Sequence, residues 1–278
     1  MLLDALVAFG LLMKPEGCYV LPPDAARFLV RSSADYVGGI LEADAIHESW
    51  AGLVPAVRTG QPVQRVEQKE KAEAFFPILV RSLHVMAREP ARRMAEALGA
   101  GTRHRGLRVL DVACGSGIWG IAVAEADTEA KVTAQDFPVM LETTREYYER
   151  HGVATRCDFL PGDLRTVDFG EARYDLALLG NIVHSEGDVA SRALFRRLFP
   201  ALKTGGRIVI LDMVPDDART GPVFPVLFAL NMLVNTAAGD TYTFAEYRDW
   251  LGKAGFSGVE AVDIGSHSPM IVGVKNSA

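Results

Sequence analysis

Cysteine, tryptophan and surplus positive charge are what this chain has least of. Its 278 residues include three tryptophans and three cysteines, Cys18, Cys114 and Cys157. Thiols so few and scattered exclude a disulfide framework and offer no zinc-ligand spacing, which points to a reducing, cytoplasmic setting. Acidic side chains outnumber basic ones by 35 to 29, for a net charge of −6. No basic stripe appears, and because non-specific nucleic-acid affinity rests on clustered Lys and Arg, a phosphate-backbone partner is not expected. Long apolar runs are also missing. The opening MLLDALVAFGLLM carries Asp4 and lacks a basic n-region and a small-x-small cleavage site, so it reads as helix rather than signal peptide. Val226 to Val234, interrupted by Asn231, falls well short of the ~18 residues that cross a bilayer. What remains is globular composition, 49% hydrophobic and 23% charged, enough for one large domain or two modest ones.

Two textures divide the chain near residue 100. Over residues 1–100 the apolar positions recur three and four apart (Leu2, Leu6, Phe9; Phe76, Leu79, Val80, Leu83), which is helical periodicity. Over 101–278 β-type runs alternate with helices: LRVLDVA, KVTAQDF, TRCDFLPGD, YDLALLGN, RIVILDMV and MIVGVK, with helices at Val139–Arg150 and Ala190–Leu202. Alternation of this kind predicts an α/β fold whose mostly parallel sheet is covered on both faces. Gly99–Ala100–Gly101 is the expected linker. Leu2 to Phe9 gives barely two helical turns before a hairpin-like LLMKPEGCYVLP, and so short a helix is unstable alone. It reads as the middle of a helix–wing unit lacking its first helices. With no Lys or Arg before Lys14, that unit is not expected to read DNA. The helices over 36–98 are expected to pack against a second subunit.

The most informative stretch is Leu107-Arg-Val-Leu-Asp111-Val-Ala-Cys-Gly115-Ser-Gly117-Ile-Trp-Gly120. A strand runs into a glycine turn that opens a helix, so backbone can approach a ligand closely. Gly115, Gly117 and Gly120 satisfy GxGxxG, which admits a nicotinamide dinucleotide. Two acids turn the reading. Asp111 ends the strand where a pyrophosphate would sit, and a carboxylate there suits a cation. The next strand ends in Asp136, 25 residues on, placed to take two ribose hydroxyls. Ribose with positive charge and no phosphate describes S-adenosylmethionine.

DVACGSG resembles the first motif of class I S-adenosylmethionine-dependent methyltransferases. With Gly180-Asn-Ile-Val-His184, GGRIVILDMVPDD at 205–217 and FALNMLVNTAAGDTYTFAEYRDWLGKAGF at 228–256, the chain resembles the small-molecule O-methyltransferases of the caffeate, hydroxyindole and bacterial polyketide type over nearly its whole length. The resemblance implies a Rossmann-like doubly wound sheet with its last strand antiparallel. It also implies an N-terminal, partly winged-helix region that dimerises and lids the substrate pocket. Cofactor contacts would come from Asp111, Gly115, Gly117, Asp136, Phe137, Gly162, Asp163, Leu164 and Asn181. His184 matches the catalytic base and Asp212 its orienter, although an acid there could instead cap its loop or pair with Arg219. Asn231 and Met232 would face the acceptor, with Phe76, Leu83, Met86, Phe224 and Phe228 as apolar walls. His84 could add a polar contact or serve as a core or interface histidine. The chain departs from plant members at the second acid beside the base: Thr241 stands near that place, with Asp240 shifted by one.

A phenol of pKa near 10 is a poor nucleophile at neutral pH, and a histidine is a suitable base for it. The expected activity is therefore O-methylation of a small aromatic hydroxyl compound by a metal-independent homodimer. C-methylation or a non-methylating reaction on the same fold, a nicotinamide-dependent oxidoreductase, and an inactive or regulatory subunit stay open as alternatives.

Overall fold

The computed structural model describes residues 1–42, 44–62 and 69–276, with side chains described outside 42–46 and 63–78. The strands are β1 (Arg108–Val112), β2 (Lys131–Asp136), β3 (Cys157–Pro161), β4 (Tyr174–Gly180), β5 (Leu202–Leu211), β6 (Ser257–Val262) and β7 (Met270–Val274). They form one sheet in the order β3-β2-β1-β4-β5-β7-β6. The first five pair in parallel, and β7 runs antiparallel between β5 and β6. The α/β class and the antiparallel last strand are as the sequence predicts.

The sheet is apolar on both faces because parallel strands need helices on both. Val109, Leu110 and Val112 of β1 are all 0% exposed. Val109 lies in the same apolar cluster as residues of α7 (Ile118–Ala126) and α8 (Pro138–Arg150), whereas Leu110 and Val112 belong to the layer of α9 (Val183–Ala201) and α11 (Phe244–Lys253). α11 begins with a capping box in which Thr243 Oγ1 accepts the Glu246 N–H and the Glu246 carboxylate accepts the Thr243 N–H.

Three local expectations are corrected. β6 was not foreseen: it pairs only with β7, alternates half-buried with exposed residues, and carries Gly258 at φ +56, so it lacks the apolar run of a central strand. α9 begins at Val183 rather than Ala190, bending at Gly187, where φ is 81° and ψ 165°. It also ends at Ala201, one residue before the expected Leu202.

Before the sheet come α1 (Leu2–Ala8), α2 (Pro23–Leu29), α3 (Gly39–Glu42), α4 (Asp44–Ala51), α5 (Leu53–Thr59) and α6 (Lys69–Leu98). α1 buries none of its residues. Met13 and Val20 form one antiparallel bridge across the turn at Pro15–Gly17, a minimal hairpin that does not by itself make a winged helix. α6 is different. Ala87, Ala91, Met94, Ala95 and Leu98, spaced three and four apart, join the core layer of α7 and α8. Among the described residues, no helix is long and apolar enough to cross a membrane.

Met94 is 0% exposed in that layer. Met94→Ala is expected to lower unfolding free energy by roughly 2–5 kcal/mol in urea titration. A loss below about 1 kcal/mol would place the end of α6 outside the cooperative core.

Candidate active site

The carboxyl ends of β1 to β5 share one edge, and the strand order reverses between β1 and β4, which opens a crevice there. The loops after these strands carry the candidate residues: 113–117, 136–137, 162–164, 181–184 and 212–214.

The turn after β1 uses left-handed backbone at Ala113 (φ 50), Gly115 (φ 55) and Gly117 (φ 74). Gly117 is doubly required, since a Cβ there would also lie 2.4 Å from the Tyr148 ring. Three side chains hold the turn. Asp136 Oδ2 accepts the Gly115 N–H at 2.8 Å, Thr144 Oγ1 donates to the Gly115 carbonyl at 2.6 Å, and Asp111 Oδ2 accepts the Gly120 N–H at 3.0 Å.

Asp111 departs from expectation. It is 0% exposed beneath the turn it holds, its Oδ1 has no partner among the described residues, and burial pushes its pKa up to about 8. It therefore shapes the turn as a largely neutral acid and offers no open carboxylate to a cation. Asp136, 8% exposed, keeps its place at the crevice, with Oδ1 accepting the Phe137 N–H at 2.7 Å; burial raises its pKa too. Phe137 beside it is half exposed and presents an apolar ring. Gln135 ties the neighbouring loops, accepting from the Ala113 N–H and donating to the Gly162 carbonyl. Asp163 Oδ1 caps its own turn on the Arg165 N–H. Leu164 turns its side chain into the core layer under α9, so only its backbone faces the loop. Asn181 continues β4 with φ 57 and donates its N–H to the Leu211 carbonyl.

These residues suit an uncharged nucleoside. Asp136 offers hydroxyl acceptors and Phe137 an apolar plane, while no Lys or Arg occurs in 111–117, 135–137, 162–164 or 180–184 to meet a phosphate.

One strand further, His184 and Asp212 meet. His184 Nδ1 lies 2.6 Å from Asp212 Oδ1, while Asp212 Oδ2 accepts the His184 N–H at 3.1 Å. Asp212 Oδ1 also accepts the Met213 N–H at 2.8 Å, and the carboxylate side chain is 0% exposed. Arg219 does not compete for it, pairing instead with Asp240 and Glu246. Asp240 reaches His184 only by its backbone, donating its N–H to the His184 carbonyl at 2.9 Å. Thr241 is 1% exposed, and its hydroxyl finds no partner among the described residues. The histidine is thus clamped by one acid.

α10 (Val223–Asn235) brings Phe228 edge-on to the His184 ring, with centroids 5.0 Å apart. Met232 is buried on the same helix, and Phe224 continues the aromatic row, 5.9 Å from Phe228. Asn231 Oδ1 accepts from Trp50 Nε1 at 3.2 Å and from Asn235 Nδ2 at 3.0 Å, so its oxygen is already engaged. Met86 is a correction: two residues past His84, it leaves α6 about 200° around the helix and is 56% exposed, facing away from the turn. The Phe76 side chain lies outside the described residues. Sequence reasoning missed Trp50 and the contact between His84 and Ser116. Neither has a motif, and the paired residues lie 181 and 32 positions apart.

Comparison with known proteins bears on this edge. A model of the O-methyltransferase domain family matches residues 89–257. The 3-hydroxy-5-methyl-1-naphthoate 3-O-methyltransferase of Streptomyces sahachiroi is 31% identical, across 99% of this chain and 80% of that protein. The tetracenomycin polyketide synthesis 8-O-methyl transferase TcmO of Streptomyces glaucescens is also 31% identical, across 98% and 81%. The S-adenosyl-L-methionine-dependent methyl transferase PigF of Serratia sp. is 28% identical across 99% and 82%. A structure of PigF with S-adenosylhomocysteine matches this one with a TM-score of 0.85 at 26% identity, over 99% of this chain and 83% of that one.

The raised pKa of Asp111 makes a signed prediction. Its contribution to stability is fully present below the unfolded value of 3.8 and is lost as pH rises towards about 8. Asp111→Asn keeps an acceptor for the Gly120 N–H without a charge to bury. Urea titrations between pH 5 and 8 should show wild type losing stability relative to this variant as pH rises. A pH-independent difference would mean the acid is ionised in the folded protein.

Proposed function

The chain belongs to the O-methyltransferase domain family, and from that premise we propose that it transfers a methyl group from S-adenosylmethionine to a hydroxyl of a small aromatic metabolite. The His184–Asp212 pair carries this reading. A carboxylate only accepts, so Asp212 Oδ1 fixes the proton on His184 Nδ1 and leaves the Nε2 lone pair to take another. His184 Nε2 has no partner among the described residues. The cofactor supplies a methyl made electrophilic by its sulfonium. With cofactor and acceptor bound, the O–CH3 bond would form as the S–CH3 bond breaks and the hydroxyl proton would pass to His184 Nε2, leaving a methyl ether and S-adenosylhomocysteine. Buried Asp212 stabilises the imidazolium that results. In-line alignment supplies the larger share of the acceleration.

Asp136 would take the ribose hydroxyls, with Gly115 and Gly117 giving close backbone approach. Phe137, Gly162, Asp163, the Leu164 backbone and Asn181 would line the rest of the nucleoside crevice. Phe228, Met232 and Asn231 would form the acceptor side. The relatives named for naphthoate and tetracenomycin chemistry support an aromatic acceptor, as does the row of Phe224 and Phe228.

Residues 1–100 are read as a dimerising and lidding region, partly winged-helix, and 101–278 as the cofactor domain. α4 and α5 pack on α10, and Trp50 joins the lid to the acceptor side through Asn231. Exposed apolar residues such as Leu2 (75%), Phe9 (80%), Val54 (59%) and Val57 (61%) suit a second copy of the chain. The described cysteines are unpaired, in keeping with a cytoplasmic place, and the acidic balance disfavours nucleic acid.

Incubation with methyl-labelled cofactor and a panel of phenols should transfer label. His184→Ala should lower kcat by roughly 10²–10⁴-fold while S-adenosylhomocysteine affinity is retained in calorimetry. Full turnover in that variant would remove His184 as the base, and binding of NADH in place of S-adenosylhomocysteine would overturn the cofactor assignment. Light scattering should give twice the 30.1 kDa chain mass. A monomer would overturn the dimer.

A further inference from the structure

α6 meets the glycine turn through a buried histidine that the methyl-transfer chemistry does not use. His84 is 2% exposed and stacked on Tyr147, with ring centroids 3.8 Å apart at 20°. Its Nδ1 is 3.0 Å from Ser116 Oγ, the residue between Gly115 and Gly117. Its Nε2 is 3.2 Å from Nε2 of His151, at the end of α8, and His151 Nδ1 is 2.7 Å from Glu125 Oε1 on α7. A line of hydrogen bonds therefore runs from the turn to a surface carboxylate.

The carboxylate sets its direction. Glu125 only accepts, so His151 carries its proton on Nδ1 and, when neutral, accepts at Nε2. His84 must then donate from Nε2 and accept at Nδ1, and Ser116 donates its hydroxyl proton to His84. Burial above all, with Arg88 and Arg150 nearby, holds the His84 pKa down at about 3, so the ring stays a neutral acceptor for Ser116.

We propose that His84 is a positioning residue for the cofactor, acting through Ser116 to hold the turn that meets it. The turn has left-handed backbone at residues 113, 115 and 117, so its shape needs outside ties. Asp136 ties it to β2 and Thr144 ties it to α8. The Ser116–His84 bond ties it to α6. That tie holds the segment whose Gly115 N–H keeps Asp136 in place, so losing it loosens the ribose acid while leaving His184 and Asp212 untouched.

The inference rests on the crevice binding S-adenosylmethionine, and the test separates the two. S-adenosylhomocysteine binding by calorimetry and steady-state kinetics are compared for wild type, His84→Ala, His84→Gln, His84→Asn, Ser116→Ala and the double variant His84→Ala/Ser116→Ala. His84→Ala, His84→Gln and Ser116→Ala should each weaken binding and raise cofactor KM roughly three- to tenfold, the size of one buried hydrogen bond, with kcat at saturation little changed. Asparagine places an acceptor where Nδ1 stands, so His84→Asn should bind close to wild type. The double variant should be no weaker than the weaker single variant. If His84→Ala does not fold, Ser116→Ala and the pair His84→Asn and His84→Gln carry the comparison. Equal loss in His84→Asn and His84→Gln, a fall in kcat with KM unchanged, or multiplicative losses in the double variant would overturn the proposal. Failure of wild type to bind S-adenosylhomocysteine would instead overturn the cofactor assignment.

Discussion

Three strands of the parallel sheet carry an aspartate at or next to their carboxyl ends whose carboxyl group accepts backbone N–H groups further along the chain, and the site depends on this repeated bond. Asp111 holds the Gly120 N–H, Asp136 holds those of Gly115 and Phe137, and Asp212 holds those of His184 and Met213. Each loop must leave its strand sharply, exposing donors that the sheet ladder no longer satisfies. A carboxyl group at that point supplies the acceptor in a buried setting. The same group then acquires a second use according to depth. Asp111, wholly enclosed, stays with the loop. Asp136 retains a sliver of exposure at the crevice, and Asp212 uses one oxygen on an imidazole.

Charge follows depth in the same way. Burial makes Asp111 reluctant to ionise, and raises Asp136 as well. A positively charged ligand in a crevice lined by these acids would favour their ionised forms. Phosphate would meet the opposite environment. The discrimination between a sulfonium nucleoside and a dinucleotide therefore lies less in the glycine pattern, which both share, than in the residues flanking it.

Much of this edge was legible because its parts are local in sequence. The glycine turn, the acid ending each strand and His184 after β4 are short patterns, and a parallel sheet brings every such loop to one side. What was not legible depends on packing between distant segments. Whether Asp111 faces the crevice or the core is decided by α7 and α8 closing over it. Met86 and His84 lie two residues apart on a helix, and only docking of α6 decides which one reaches the turn. β6, with half its residues exposed and a glycine at positive φ, has no apolar signature of its own and forms because β7 offers an edge. Thr241 stands where plant members carry a second acid, and Asp240 beside it meets His184 through its backbone N–H.

α6 also bears on what a domain boundary near residue 100 means. Its carboxyl half contributes Met94 and Leu98 to the same layer as Ile121 and Tyr148, so the helix cannot leave without opening the core beneath the cofactor turn. The turn's shape is also held from residue 84, far back in the first hundred. α4 reaches the other side of the site through Trp50 and Asn231. The early helices thus touch both halves of the crevice, the nucleoside turn through one buried hydrogen bond and the acceptor helix through an exposed one.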